Sequence, residues 1–226
     1  MQTANRSLAP HEVIAPIAPG VPRMLTTRTL QEADRRAFVR VMSAAFAQDP
    51  LFLDLFGEDH RQPMAAHWRA VFFAYLFDRS RIAGHCLLGI FDAHGSLLAA
   101  CVLEDSARRG PVLSLAWRAL RLLPRLPWRS MRLLNAYIRR TRHAAPTSHH
   151  HYLTMVGTLP ERQGQGIGTR LMHGLIDAAR LSGNMQAIAL DTENAANVPR
   201  YEKLGFRVSQ RLRVSETDVY CMLLTL

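Results

Sequence analysis

The sequence predicts an α/β fold, a mixed central sheet of about six to seven strands with flanking helices and a helical insertion before its fourth strand. Three observations carry this expectation. Short apolar runs of strand type alternate along the chain with stretches whose apolar residues recur every three or four positions. Such alternation is the pattern of strands joined by crossover helices. A glycine-rich turn, Gln163-Gly-Gln-Gly-Ile-Gly168, joins one of these strands to one of these helices. Apolar residues make up 48% of the 226 residues, enough for a buried core and too many for a disordered chain.

Residues 1–22 hold four prolines and one arginine without the apolar segment of a signal peptide, and read as a flexible arm. A single domain is expected over residues 23–226. Residues 23–28 form a short strand candidate. Residues 30–46 repeat Phe38, Val41, Met42, Ala45 and Phe46 at helical spacing. Asp49-Pro50 should end that helix, because the residue before proline is pushed out of the α region. Residues 65–77 are a second helical stretch, rich in aromatics. Residues 86–91 and 97–103 are strands, with Asp92-Ala-His-Gly95 as the hairpin turn between them. Further along, residues 152–158 have strand character, and residues 168–181 are helical through Leu171, Leu175, Ala178 and Ala179. Residues 187–190 read as a buried strand, 199–204 as a short helix, and 206–210 and 219–224 as the last strands.

The stretch between the third and fourth strands has a composition of its own. Residues 107–148 carry ten arginines and no Asp or Glu, interleaved with Trp117, Leu120, Trp128, Leu134 and Tyr137. Arginines at 118, 121, 125, 129 and 132 are spaced by three or four, which places them on one helical face. Pro124 and Pro127 interrupt it, so two short helices with a bend are expected in an insertion over about residues 106–148. The chain has 28 Lys and Arg against 18 Asp and Glu, a formal net charge of +10. Removing the ten arginines of this stretch leaves 18 basic against 18 acidic residues. The positive charge therefore marks one segment rather than the whole domain, and no nucleic-acid partner is expected on its account. We expect the segment to be a helical lid that helps to choose the substrate.

Cys86, Cys101 and Cys221 are few, odd in number and far apart, which suggests neither a disulfide framework nor a zinc knuckle. A reducing, cytoplasmic compartment fits best. No run approaches the roughly 18 apolar residues that span a bilayer. His149-His150-His151 lacks companion ligands, and neighbours on a strand point to opposite faces, so no metal is expected.

The glycine-rich turn is the most informative stretch. Between a strand and a helix, successive backbone N–H groups can converge on an anion, and the helix dipole adds to the attraction. Side chains there would hold a phosphate away from the backbone. A P-loop requires Lys then Ser or Thr after its last glycine, whereas Gly168 is followed by Thr169-Arg170. The dinucleotide fingerprint GxGxxG differs in spacing from Gly164-x-Gly166-x-Gly168. The pattern present is Gln-x-x-Gly-x-Gly, and it resembles the pyrophosphate-binding motif of the GCN5-related N-acetyltransferase (GNAT) family. The resemblance continues through the segment holding Asn194 and Asn197 and through Tyr201-Glu-Lys-Leu-Gly205-Phe206. It is strong over residues 152–208 and a matter of pattern over residues 23–103. Tyr152-Leu-Thr-Met-Val-Gly-Thr-Leu-Pro160, the closing Tyr220-Cys-Met222 and the insertion are similar to the puromycin N-acetyltransferase-like branch.

The resemblance implies an acetyl-CoA-dependent N-acetyltransferase that passes an acetyl group directly to a primary amine of a small molecule. Coenzyme A pyrophosphate would rest on the loop formed by Arg162, Gln163, Gly164, Gln165, Gly166, Ile167 and Gly168, with the Thr169 hydroxyl as a further donor. The strand Met155, Val156, Gly157 and Thr158 would splay from its neighbour and pair with the pantetheine amides. It would also turn a backbone N–H to the thioester oxygen. Asn194 and Asn197 would contact cofactor amides or cap a helix. Tyr201 would be the general acid, since a phenol with pKa about 10 is protonated at neutral pH and can donate to the departing thiolate. The attacking ammonium must itself lose a proton. Glu104, at the end of the third strand, and His151, just before the splayed strand, are the candidate bases, with ordered water as the alternative. A homodimer is compatible with this reading. The competing class is a module that docks its arginine-rich helices on nucleic acid or an anionic surface, with acetyl-CoA only regulatory.

Overall fold

The alternating patterns form one mixed sheet of seven strands in the order β1-β2-β3-β4-β5-β7-β6. The computed structural model describes residues 25–106, 125–182 and 185–226. The strands are β1 (Thr26–Thr29), β2 (Cys86–Phe91), β3 (Leu97–Asp105), β4 (His151–Thr158), β5 (Ala187–Thr192), β6 (Arg207–Val214) and β7 (Thr217–Thr225). Among the described residues six α-helices accompany them: α1 (Arg35–Ala45), α2 (Pro50–Phe56), α3 (Ala65–Ile82), α4 (Trp128–Ala144), α5 (Ile167–Ser182) and α6 (Val198–Glu202).

Local chemistry sets several boundaries. The β2–β3 hairpin closes because the Asp92 carboxylate accepts the N–H groups of His94 (2.9 Å) and Ser96 (2.8 Å), while Gly95 takes φ +76°. α1 already ends at Ala45, four residues before Asp49, and Asp49-Pro50 starts α2. Asp49 is extended, its carboxylate accepts the N–H groups of Leu51 (3.1 Å) and Phe52 (3.4 Å), and Pro50 opens the helix. Aspartate at the cap and proline just inside are a start signal as well as a stop signal. α3 runs five residues beyond the expected stretch, to Ile82. Its buried Arg69 forks onto Asp59 (2.9 Å to each oxygen) and donates to the Ser43 carbonyl (3.0 Å), fastening α3 to the end of α1.

The sheet divides two apolar layers. On one face α1, α2, α3 and α4 close over Phe38, Phe52, Phe73 and Phe77, with the Phe52 and Phe73 rings stacked at 5.1 Å. On the other, α5 buries Ile167, Leu171 and Leu175 against β3, β4 and β5, together with Phe206. β3 is buried along almost its whole length, which explains its continuous apolar run. Gly157 lets α1 lie directly on β4, because a Cβ there would stand 2.9 Å from Ala45 Cβ and 3.0 Å from Met42 Sδ.

One irregularity shapes everything that follows. β4 and β5 are parallel and pair only through His151–Ile188, Tyr152–Ala189 and Leu153–Leu190. Beyond that point β4 continues against β3 to Thr158, and β5 continues against β7 to Thr192. The β3–β4 register shifts between Val102 and Leu103, making Thr154 the extra residue of a bulge. A bulge bends its strand, and this one lies where β4 leaves β5.

The first of the two expected insertion helices falls on residues 107–124, outside the described residues. The second is α4, which exposes Arg129, Arg132, Arg139 and Arg140 and buries Tyr137. Its inner side lies along the gap between β4 and β5.

Candidate active site

Where β4 and β5 part, a cavity of about 430 Å³ opens between the sheet and helices α2, α3, α4 and α6. Among the described residues, three of the four acids that line it form one group: Asp49 at the start of α2, Asp191 on β5, and Glu193 two residues further. Tyr75, Tyr137, Tyr152 and Tyr201 bring phenols to the same wall. The Tyr137 and Tyr152 hydroxyls both bond Asp191, and the Tyr137 oxygen also lies against Glu193. A phenol has one proton, so Tyr137 bridges both carboxylates only when one of them is itself protonated. The electrostatics agree. Burial, then the charges of Asp191 and Asp49, push Glu193 up to about 8. Burial also raises Asp49 to about 6, against the two N–H groups that it caps, and raises Asp191.

Glu104 lines the same cavity in a different state. Its two oxygens accept Arg79 Nη1 (2.6 Å) and Arg142 Nη2 (2.8 Å). Burial raises its pKa, but the two guanidinium groups outweigh burial and hold it at about 2. A carboxylate held so low is a poor proton acceptor at neutral pH. Glu104 instead ties α3, β3 and α4 together, and Arg142 lies flat over the Tyr152 ring at 3.6 Å. Glu104→Ala should lower stability by about 2 kcal/mol in denaturant titrations, because a buried carboxylate is removed and two half-buried guanidinium groups lose their shared partner. A loss below about 0.5 kcal/mol would show that the pair is fully solvated.

His151 does not reach the cavity. It is buried, but its neighbour Tyr152 lines the wall, and alternation along β4 points His151 to the other face of the sheet. Of the two candidate bases, Glu104 is thus ion-paired in the cavity wall and His151 stands outside that wall.

Tyr201 lies on α6 and lines the cavity, its ring edge-on to Phe206 at 5.9 Å. Burial, with the charges of Glu193, Asp191 and Asp49, raises its hydroxyl above the ordinary phenol value, so it keeps its proton. Asn197 also lines the wall; its Oδ1 accepts from Arg200 (3.1 Å) and its Nδ2 lies 3.5 Å from the Thr192 hydroxyl. The Asn194 side chain caps the turn before α6, accepting the Ala196 N–H at 3.0 Å.

The glycine loop leads from the parted strand into α5. Met155 and Val156 line the cavity, and Gly157 and Thr158 carry the strand on to a short turn that ends at Arg162. The Gln163 amide donates to the Thr158 carbonyl (3.2 Å) and the Gln165 amide to the Glu161 carbonyl (3.3 Å). Gly164 and Gly166 take φ +75° and +76°, and a Cβ on either would meet nothing within 4 Å. The Arg170 N–H makes a helical bond to the Gly166 carbonyl (2.9 Å), so Ile167, Gly168 and Thr169 occupy the first turn, where N–H groups point outward. An open, glycine-surfaced helix start of this kind fits a pyrophosphate.

Asp49, Asp191, Glu193, Tyr137 and Tyr152 were not singled out by the sequence reading. Asp49 reads as a helix stop, and the two tyrosines read as parts of an apolar strand and an arginine-rich helix. Asp191 and Glu193 carried a signal: two acids at i and i+2 at the end of a buried strand share one face.

A sheet parted between two parallel strands, with an anion-binding glycine loop leading from the parted strand into a long helix, defines an acetyltransferase type of α/β fold. Residues 40–206 match the family model described as the acetyltransferase (GNAT) family, and the chain belongs to that family. It is 41% identical over 71 residues to the N-alpha-acetyltransferase RimI of Mycobacterium tuberculosis, covering 30% of this chain and 44% of that protein. It is 37% identical over 54 residues to the L-methionine sulfoximine/L-methionine sulfone acetyltransferase of Salmonella typhimurium, covering 24% and 32%. The chain thus spans less than half the length of these curated relatives. Among solved structures it resembles a histone acetyltransferase-related protein of Corynebacterium glutamicum, with TM-score 0.61, 18% identity and coverage of 88% and 94%. It also resembles the PaiA N-acetyltransferase of Thermoplasma acidophilum in complex with coenzyme A, with TM-score 0.56, 14% identity and coverage of 90% and 99%.

Proposed function

We propose that the protein is an acetyl-CoA-dependent N-acetyltransferase whose acceptor is a primary amine of a small molecule. The observation that carries this reading is the buried group of acids and phenols beside the gap between β4 and β5, next to the glycine loop. Acetyl-CoA supplies the acetyl group as a thioester. The loop from Arg162 to Thr169 receives the pyrophosphate on its backbone N–H groups. The edge of β4 from Met155 to Thr158, which β5 leaves uncovered, receives the amides of the pantetheine arm. Asn197 forms the wall beside that arm, and Asn194 shapes the turn that presents Asn197 and Tyr201.

The acids then act on the acceptor. An ammonium entering the cavity is drawn to Asp49, Asp191 and Glu193, and Glu193 ionises as the cation arrives. With its affinity for protons near that of a neutral solution, Glu193 is matched to taking the proton from the amine. Tyr201 holds its own proton and delivers it to the departing sulfur. Asp191 is a positioning residue, holding the Tyr137 and Tyr152 hydroxyls in place.

Calorimetry with coenzyme A, followed by a thiol-release assay over a panel of amines, tests this reading. Binding and amine-dependent thiol release are expected, and failure of coenzyme A to bind would end it. Gly166→Val should weaken coenzyme A binding about tenfold, since a β-branched residue is strained at φ +76°. Because a Cβ there meets no neighbour, the fold should persist, with the melting temperature lowered by several degrees through that backbone strain alone.

A further inference from the structure

The acetyltransfer reading leaves open which amines the cavity accepts, and its walls narrow the choice. Among the described residues, six charged side chains line it. Arg79, Glu104 and Arg142 are bound to one another, with Arg142 also flat on Tyr152. The remaining three, Asp49, Asp191 and Glu193, form one group. The other lining side chains are apolar or aromatic, apart from three threonines and Asn197.

Position adds to composition. Asp191 and Glu193 stand on the β5 side of the gap, so an amine nitrogen held by them is already beside the uncovered edge of β4. The rest of the acceptor must extend from there along Phe46, Phe52 and Phe72 on one side and Leu134 and Ile138 of α4 on the other. Among the described residues, that wall offers no second acid group to a second ammonium. A substrate carboxylate would have to share the two arginines with Glu104, to which each already gives one nitrogen. At about 430 Å³ the cavity is large enough for a body of one or two rings.

We propose that the acceptor is a lipophilic primary monoamine: one ammonium group held at Asp49, Asp191 and Glu193, carried on an apolar, ring-bearing body that packs between the phenylalanines and α4. Polyamines, amino acids and hydrophilic amines are poor acceptors. Transfer forms the amide bond from the amine nitrogen to the acetyl carbon and breaks the thioester carbon–sulfur bond; the ammonium proton goes to Glu193, the sulfur takes one from Tyr201, and the second nitrogen proton, released as the amide forms, returns to the Tyr201 phenolate.

The test is thiol release by the full chain with acetyl-CoA and a graded panel: butylamine, hexylamine, phenylethylamine, naphthylmethylamine, cadaverine, spermidine and phenylalanine. For the alkylamines kcat/KM should rise about three- to fourfold per added methylene, the ratio expected for burying that group. Phenylethylamine should exceed cadaverine and phenylalanine by at least about 100-fold. Ile138, which lines the cavity and is 44% exposed, can be changed without opening the core. Ile138→Glu should lower kcat/KM for phenylethylamine at least about tenfold, raise that for cadaverine, and leave coenzyme A binding unchanged. A preference for cadaverine, spermidine or phenylalanine overturns the acceptor class while the transferase reading stands. Coenzyme A binding without release by any arylalkylamine or alkylamine also overturns it. If coenzyme A does not bind and no amine releases thiol, both readings fall.

Discussion

Glu193→Gln is expected to lower kcat about 100- to 1,000-fold, the range for loss of a positioned general base. The amide keeps the shape and hydrogen bonds of the protonated acid, so coenzyme A binding should remain within about twofold. The pH dependence separates this from a structural defect. In the wild type, activity should rise with pH as Glu193, raised to about 8, loses its proton. The variant should lose that limb. Stability moves the opposite way. A carboxyl whose folded pKa is raised above its ordinary 4.5 favours the folded state most when protonated, below about pH 4.5. That contribution is lost as pH rises through about 8. The wild-type melting temperature should therefore fall between pH 5 and 9, and the Gln variant, which cannot ionise, should show a shallower fall. Identical slopes in both proteins, or unchanged kcat, would remove Glu193 from the mechanism.

The second large effect is expected at Tyr201. Tyr201→Phe removes one oxygen and keeps the ring that stands edge-on to Phe206, so the melting temperature should stay within a few degrees of wild type. kcat should drop about 100-fold while KM for acetyl-CoA changes little, because the hydroxyl acts on the departing sulfur and not on cofactor binding. Acceptors with more acidic amines should not rescue the variant, since their advantage lies in the other proton transfer. A kcat within threefold of wild type would mean that the thiolate leaves without this acid.

These two residues differ in how they were found. Tyr201 was named from a local pattern, Tyr-x-x-x-Gly-Phe, and the fold brings it to the cavity. Local position also points to Glu104 and His151 as candidate bases, and packing decides what each of them meets. Glu104 has the correct location at the end of β3, but arginines 25 residues before it and 38 residues after it hold its charge. His151 is adjacent in sequence to a cavity residue and faces away from it, because a strand reverses its side chains at each step. The acid group itself joins Asp49, Tyr137, Tyr152, Asp191 and Glu193 from four separate segments, and no window of sequence contains it.

The amino-acid sequence alone determined the order of strands and helices apart from α2, the hairpin at Asp92–Gly95 and the glycine loop at residues 163–168. Each depends on residues within a few positions of one another: apolar period, a side chain bonding nearby N–H groups, or glycine at positive φ. Tertiary structure decided which groups carry charge in the cavity and where it opens. The gap requires β4 to bulge at Thr154 and leave β5 after three pairs, and the pKa values of Glu104 and Glu193 depend on burial and on charges from distant helices and strands. Two glutamates with the same ordinary acidity thus stand in one cavity near 2 and near 8: burial pushes both up, two arginines reverse it at Glu104, and two aspartates add to it at Glu193.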